Sequence, residues 1–393
     1  MGKRGMCLMA CAAMTLAAAL AFAETAREIP CRFVGADRQA IHCLDDGDYK
    51  TRWSARGNSA RLTLEPQTGE AIGGVYVKFY NTSCAFDVQV KDDAGKWQTV
   101  AACDGTYLAE YVPLGEPADA VRIRPQGSER LALAEVQAFT GGKAPDFVQR
   151  WQPPHEKADL LLISAHPDDE VIFMGGTIPH YAGQMKKAVQ VAYLVPATPY
   201  RKLELLDGLW LCGCRNYPDI GAFPDRFATS ISGMYKQEGW SEDALTRHVV
   251  SLYRRYRPDV ALTHDVNGEY GHGAHRVAAD VSRKAIALAA DAAYQNRRLH
   301  EKEPWQVQKL YLHLYEEGAL RMDWRVPLSA FGGKTAFDMA EAAFQCHVSQ
   351  LDTEYRVEDF GPYDNAKFGL AYTAVGADEN KNDFFEHIEK GAH

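Results

Sequence analysis

The chain has 393 residues, of which 46% are hydrophobic and 24% charged, and it carries a formal net charge of −9. That length calls for two domains with ample core in each, and the composition is that of a globular protein without low-complexity segments. The acidity argues against nucleic acid or anionic lipid as a partner.

The first residues have a character of their own. Lys3 and Arg4 precede an apolar, alanine-rich run that ends near Phe22, and Ala21-Phe22-Ala23 supplies a small-x-small step, which together have the form of a secretory signal peptide over residues 1–23. A membrane anchor is the alternative, against which the run is shorter than the ~20 residues a bilayer needs. The expected product is therefore secreted or periplasmic, with no stable membrane span after cleavage. Seven cysteines follow the leader. Disulfides are permitted in such a compartment, and Cys31–Cys43 and Cys84–Cys103 are the expected pairs.

From residue 31 to 140 the hydrophobic period is two. Residues 74–80, 85–90, 120–124 and 131–139 alternate, with turn residues at 92–95 and 125–127 between them. Short strands at this spacing make an antiparallel all-β sandwich. The stretch Asp46-Gly-Asp-Tyr-Lys-Thr51-Arg-Trp53 and the closing Ala134-Glu-Val-Gln-Ala-Phe139 resemble the discoidin-like (coagulation factor 5/8 type C, galactose-binding-like) domain. That resemblance implies a carbohydrate-targeting role and a second glycan site on the sandwich. Trp97 and Tyr107 read as ordinary strand packing, with a sugar platform as the alternative. Residues 141–157, with Gly141-Gly142, Pro145 and Pro153-Pro154, read as a linker.

Over residues 158–390 strands alternate with helices. Residues 158–165, 188–195, 259–264 and 306–315 read as strands, and 200–211, 241–256 and 272–290 as helices, with a further crossover helix starting near 171. This order gives an α/β domain built on a doubly wound, Rossmann-like, mostly parallel sheet. Ligands of such sheets sit at the carboxyl ends of strands.

Two charged clusters occupy such positions. The first strand stops at His166-Pro-Asp168-Asp169-Glu170, and the third at His264-Asp265-Val-Asn-Gly-Glu269-Tyr270-Gly-His272-Gly-Ala-His275. His166, Asp169 and His275 make a three-ligand N/O set with an open position, which suits zinc and admits other divalent ions. Asp168 is then left as general base, His272 can donate a proton to a leaving amine or steady an oxyanion, and Tyr270 can donate a hydrogen bond to that oxyanion. From residue types alone this is a metallohydrolase, although the spacing by itself is not specific.

Ala165-His166-Pro-Asp168-Asp169-Glu170 followed by Gly175-Gly-Thr177, together with Tyr270-Gly-His272-Gly-Ala-His275, resembles the two signature blocks of the PIG-L/LmbE-like zinc-dependent de-N-acetylases. Arg201-Lys-Leu-Glu204, Arg257-Pro-Asp-Val260 and Lys381-Asn-Asp-Phe-Phe385 extend the likeness. It implies Zn2+ on His166, Asp169 and His275, Asp168 as base, His272 as acid or electrophile and Tyr270 as oxyanion donor. It also implies Arg201 as a substrate-side residue, the alternative being a salt bridge with Glu204. The family's His-x-Asp-His is broken here by Ala274, which leaves Asp265 or Glu269 to support the active-site histidine; Asp265 is the second substrate-side candidate.

The expected function is removal of acetyl from an amino sugar of a glycan or glycoconjugate. The alternatives are hydrolysis of another amide, such as an amino-acid or thiol-sugar conjugate, and a non-catalytic glycan-binding protein. His180, His264 and His313 read as core or loop residues rather than ligands, His347 as structural, and Cys212-Gly-Cys214 as packing rather than a redox motif.

Overall fold

The computed structural model describes residues 24–57, 59–294 and 302–388, so the leader expected over 1–23 lies outside the described residues. Residues 28–139 form two antiparallel sheets. One has the order Glu28–Ile29, Arg130–Phe139, Ile72–Phe79, Ala109–Ala118, with Trp53–Arg56 also pairing Arg130–Phe139. The other runs Ala40–Ile41, Cys31–Val34, Leu62–Pro66, Val121–Pro125, Phe86–Lys91, Trp97–Cys103. Inward residues of both, among them Leu62, Val75, Val77, Phe79, Phe86 and Ile123, form the sandwich core.

Strand Ile72–Phe79 is buried on both faces. Its other face, with Tyr76 and Lys78, is covered by the second domain: Lys78 Nζ lies 2.7 Å from Asp207. The connecting stretch 141–157 packs rather than swings, with Val148 and Trp151 in the core and the Trp151 ring edge-on to Trp210 and Tyr217.

The disulfides expected in the sandwich are not formed. Among the described residues all seven cysteines are unbonded. Neither aromatic platform is free. Arg122 stacks 3.9 Å from the Trp97 ring centre with Lys91 also over the ring, and Tyr107 packs on Tyr217 at the junction.

The second domain holds a seven-stranded sheet. Its strands are β1 (Leu160–Ser164), β2 (Val189–Tyr193), β3 (Asp219–Ile220), β4 (Val260–Thr263), β5 (Lys309–His313), β6 (Ala319–Arg321) and β7 (Lys367–Thr373). The order is β3-β2-β1-β4-β5-β7-β6, parallel from β3 to β5, with β7 antiparallel to both β5 and β6. The strand order reverses between β1 and β4, which makes the crevice beyond their carboxyl ends the topological switch point.

The helices are α1 (Asp169–Ile172), α2 (Pro199–Leu211), α3 (Ile231–Met234), α4 (Glu242–Tyr256), α5 (Gly273–Ala290) and α6 (Ala336–Phe344). Ser241 caps α4 by accepting from Ala244 N–H, as its sequence implies. The crossover helix expected from residue 171 is instead a single turn, α1, then a π-helical turn at Pro179–Gln184. The interruption falls at two glycines that are closely packed: a Cβ on Gly176 would lie 2.1 Å from the Trp324 ring, and one on Gly175 2.8 Å from the Ala340 side chain. Among the described residues no helix is long and apolar enough to cross a membrane.

Candidate active site

The two charged clusters meet at the switch point. β1 delivers Ala165 and His166, and the chain then turns through Asp168, whose φ of 112° is rare for a residue with a side chain. That turn is held from two directions: the Asp168 N–H donates to Glu170 Oε2 at 2.9 Å, and Arg201 Nη2 lies 3.0 Å from Asp168 Oδ2 while also donating to the Pro167 carbonyl. Asp169 opens α1 with its carboxylate turned back, accepting the His166 N–H at 2.8 Å.

The second cluster begins where β4 ends. Gly268 and Gly271, both at positive φ, bracket Tyr270 at φ 44°, a tight turn that delivers the tyrosine ring into the cleft. His272 caps α5 and His275 occupies its first turn.

Three ligand atoms converge. His166 Nδ1 is 3.1 Å from Asp169 Oδ2, His275 Nε2 is 3.2 Å from the same oxygen, and the two nitrogens are 3.3 Å apart. The edge of a tetrahedron with ~2.0–2.1 Å bonds is about 3.4 Å, so the separations suit a zinc-sized ion. Proton bookkeeping agrees. His275 Nδ1 faces Glu269 Oε2 at 2.8 Å, so the carboxylate accepts from Nδ1–H and Nε2 turns a lone pair toward the Asp169 carboxylate. Lone pairs facing one another in a buried site need a cation between them. Without a metal that cation is a proton: although burial pushes its basicity down, Asp169 and Glu269 raise His275 to about 10. Asp169, which burial would push up, is held well below the usual carboxylate range by His275 and His166.

Two further histidines lie close enough to join such a set, His272 with His166 and His275 and His264 with Asp169 and His275, but His264 has both ring nitrogens engaged and His272 one. His264 stacks on His275 at 4.1 Å, but its Nε2 accepts the Ala165 N–H at 2.9 Å and its Nδ1 faces Glu269 at 2.8 Å. His272 Nδ1 accepts the Ala274 N–H at 3.2 Å, which places the ring proton on Nε2. Burial, with His166 and His275 close by, lowers His272 to about 3, so it is a neutral hydrogen-bond donor. Tyr270 is shifted upward, chiefly by burial and by Asp169, and keeps its hydroxyl proton. Burial also pushes the Asp168 carboxyl well above the usual range against the pull of Arg201, which makes it a stronger base.

His166, Asp168, Asp169, Arg201, Tyr270 and His272 all line one cleft of about 360 Å3, and His275 lies buried beneath it. Arg201 pairs with Asp168, not with Glu204, which instead accepts from Ser349. Asp265 does not line the cleft: its carboxylate accepts from Asn267 within its own turn. Of the two acids expected to make up for Ala274, Asp265 does not, while Glu269 supports the active-site His275 though not His272. Glu269 is bonded to His264, His275 and His313, and the support of His272 is the Ala274 backbone itself. Ile172 and Phe173 of the α1 turn also line the cleft, and so do Asp225, Phe227, Gln350 and Tyr355, all four from outside the two clusters. Sequence reasoning missed these four, since they arrive on irregular loops without a local pattern. His347 is fully buried, 3.7 Å from Glu170 and away from the cleft, and Cys212 and Cys214 are buried packing residues.

Residues 161–286 match the PIG-L family, described as GlcNAc-PI de-N-acetylase. The chain is 32% identical over 211 residues to the 1D-myo-inositol 2-acetamido-2-deoxy-alpha-D-glucopyranoside deacetylase of Streptomyces avermitilis, covering 46% of this chain and 70% of that relative. Among solved structures it is similar to the N,N'-diacetylchitobiose deacetylase of Pyrococcus horikoshii, with 19% identity, a TM-score of 0.39, and coverage of 52% of this chain and 75% of that one. Its N-terminal part is similar to the CBM32 of AlyQ solved with 4,5-unsaturated mannuronic acid, with 17% identity, a TM-score of 0.25, and coverage of 29% of this chain and 99% of that one.

Proposed function

Since this chain belongs to the PIG-L family of de-N-acetylases, we propose that it is a metal-dependent hydrolase that removes acetyl from an amino sugar of a glycan or glycoconjugate. The observation that carries the reading is the convergence of His166 Nδ1, Asp169 Oδ2 and His275 Nε2 beside a second, differently placed carboxylate, Asp168. His166, Asp169 and His275 would hold the ion, and their nitrogen and carboxylate donors suit Zn2+. When bound, such an ion supplies Lewis acidity toward a carbonyl oxygen and toward water.

The chain's own groups divide the remaining work. Asp168 Oδ2 is engaged by Arg201, which leaves Oδ1 to take a proton from the attacking water. As the water oxygen bonds to the acetamide carbon, His272 Nε2–H and Tyr270 O–H face the cleft as donors to the developing oxyanion. Asp168 then returns the proton to the amine nitrogen as the C–N bond breaks, giving acetate and a free amino sugar. His272, neutral and without an acid behind it, acts as electrophile rather than proton donor.

The basic, alanine-rich leader supports export, and N-terminal sequencing of the protein recovered outside the cytoplasm tests it. An acetate-release screen across N-acetylglucosamine, N-acetylgalactosamine, chitooligosaccharides and peptidoglycan fragments, run with metal analysis, tests the activity. Asp168→Asn should lower turnover by roughly 10³-fold with the metal still bound. Undiminished release from that variant would overturn the assignment.

A further inference from the structure

One helix touches both the cleft and the sandwich. Arg201, in the first turn of α2, grips Asp168 and the Pro167 carbonyl. One turn later Glu204 accepts the Ser349 N–H at 2.9 Å and its hydroxyl at 2.6 Å, fixing the segment whose next residue, Gln350, lines the cleft. The same helix presents Asp207 to the sandwich. Lys78 Nζ donates to its Oδ1 at 2.7 Å, Gln149 to the same oxygen, and Tyr49 O–H to its Oδ2, while Lys78 also donates to the Tyr49 oxygen.

These groups come from three separate parts of the chain: Lys78 from the doubly buried strand Ile72–Phe79, Tyr49 from a sandwich turn, and Gln149 from the connecting stretch. The pair is well shielded, with side-chain exposures of 10% for Lys78 and 24% for Asp207. Lys202 donates to Asn81 at 3.1 Å and Lys50 lies over the Tyr200 ring, so the first turn of α2 is tied to the sandwich as well. At ~1.5 Å per residue, Asp207 stands about 9 Å along the axis from Arg201 and cannot reach a reacting atom.

We propose that the N-terminal sandwich is a positioning part of the catalytic apparatus: through the Lys78–Asp207 pair it sets α2, and α2 sets Arg201 against Asp168. This goes beyond a sugar-binding or spacer role for the sandwich, and it rests on reading the cleft as a deacetylase site. Lys78 and Asp207 are positioning residues. Removing the lysine leaves a shielded carboxylate without its cation, and α2 is free to shift by fractions of an ångström at the point where Asp168 is held.

The test uses the full chain loaded with Zn2+ and the acetylated sugar that gives the highest acetate release. Lys78→Met should lower kcat about 10- to 100-fold with KM within about twofold, since a small misplacement costs turnover rather than binding. Metal content should match the unaltered protein, Lys78→Arg should restore most of the rate, and amide exchange in α2 should quicken. In an Arg201→Ala background the same substitution should cost little further, because its route to the cleft is already gone. A merely cohesive role would instead add its full loss in both backgrounds. Should Lys78→Met fail to fold, Tyr49→Phe keeps the ion pair and removes one donor, with a loss of about threefold expected on the same reasoning. Unchanged kcat with unchanged α2 exchange in a folded variant overturns the proposal, as does full additivity with Arg201→Ala. If the unaltered enzyme releases no acetate from any sugar, the deacetylase reading fails separately. The α2 exchange of Lys78→Met then decides the mechanical link by itself.

Discussion

Two shielded carboxylates, each gathering three side-chain donors, govern this molecule in different ways. Glu269 sits beneath the cleft and receives His264, His275 and His313, all fully buried, within one domain. Asp207 sits at the junction and receives Lys78, Tyr49 and Gln149 from outside its own domain. The first set is made of imidazoles whose proton positions decide where lone pairs point, so it governs chemistry at the candidate metal atoms directly. The second contains a fixed charge and a phenol, so it governs where a helix lies. A carboxylate under a site sets electronic state; a carboxylate between domains sets geometry.

The sharpest way to break the comparison is to remove each carboxylate in turn. Glu269→Ala should cost about 3–5 kcal/mol in stability and weaken metal binding by roughly 10- to 100-fold, because three buried rings lose their acceptor and His275 loses its fixed tautomer. Asp207→Ala should cost a similar order of stability, about 3 kcal/mol, yet leave metal affinity unchanged. Denaturant unfolding alongside zinc titration separates the two; equal losses of affinity would erase the distinction drawn here.

An intermediate effect is expected in the pH profile. Asp168 must be deprotonated to act, so activity falls as pH drops through its pKa, which burial raises and Arg201 pulls back. Arg201→Ala removes the opposing cation, so the acidic limb of kcat/KM should move to higher pH. A limb that stays put, measured with full metal loading, would detach Arg201 from the base. The smallest effect belongs to the sandwich surface. Trp97 has both Arg122 and Lys91 over its ring, and Trp97→Ala should cost only about 1 kcal/mol of stability and leave binding to glycans unaltered. Loss of glycan retention on affinity electrophoresis would reopen that ring as a platform.

Much of the site was legible because its signals are local. His166, Asp168 and Asp169 lie within four residues at a strand end, and His272 and His275 share the first turn of a helix, so spacing alone sets their relative placement. The alternating strands of the sandwich were legible for the same reason. Asp265 was misread because its place in the second cluster suggested a role that its own turn absorbs through Asn267. The helix expected after Val171 was misread, and nothing local announces that Trp324 and Ala340 will press against Gly176 and Gly175. The expected cysteine pairs are absent, and nothing local in the sequence tells a paired cysteine from an unpaired one.

The sequence by itself determined a β-sandwich followed by an α/β domain and a histidine–carboxylate cluster at the switch point with a further acid, Asp168, beside it, because periods of two and 3.6 and strand-end clusters are short-range properties. Only the tertiary structure decided which histidine nitrogens remain available, that Glu269 rather than an acid at Ala274's place organises the imidazoles, and that Asp207 ties the sandwich to the helix carrying Arg201. Those are choices of proton and contact among residues distant in sequence, and they are made when buried polar groups must each find a partner.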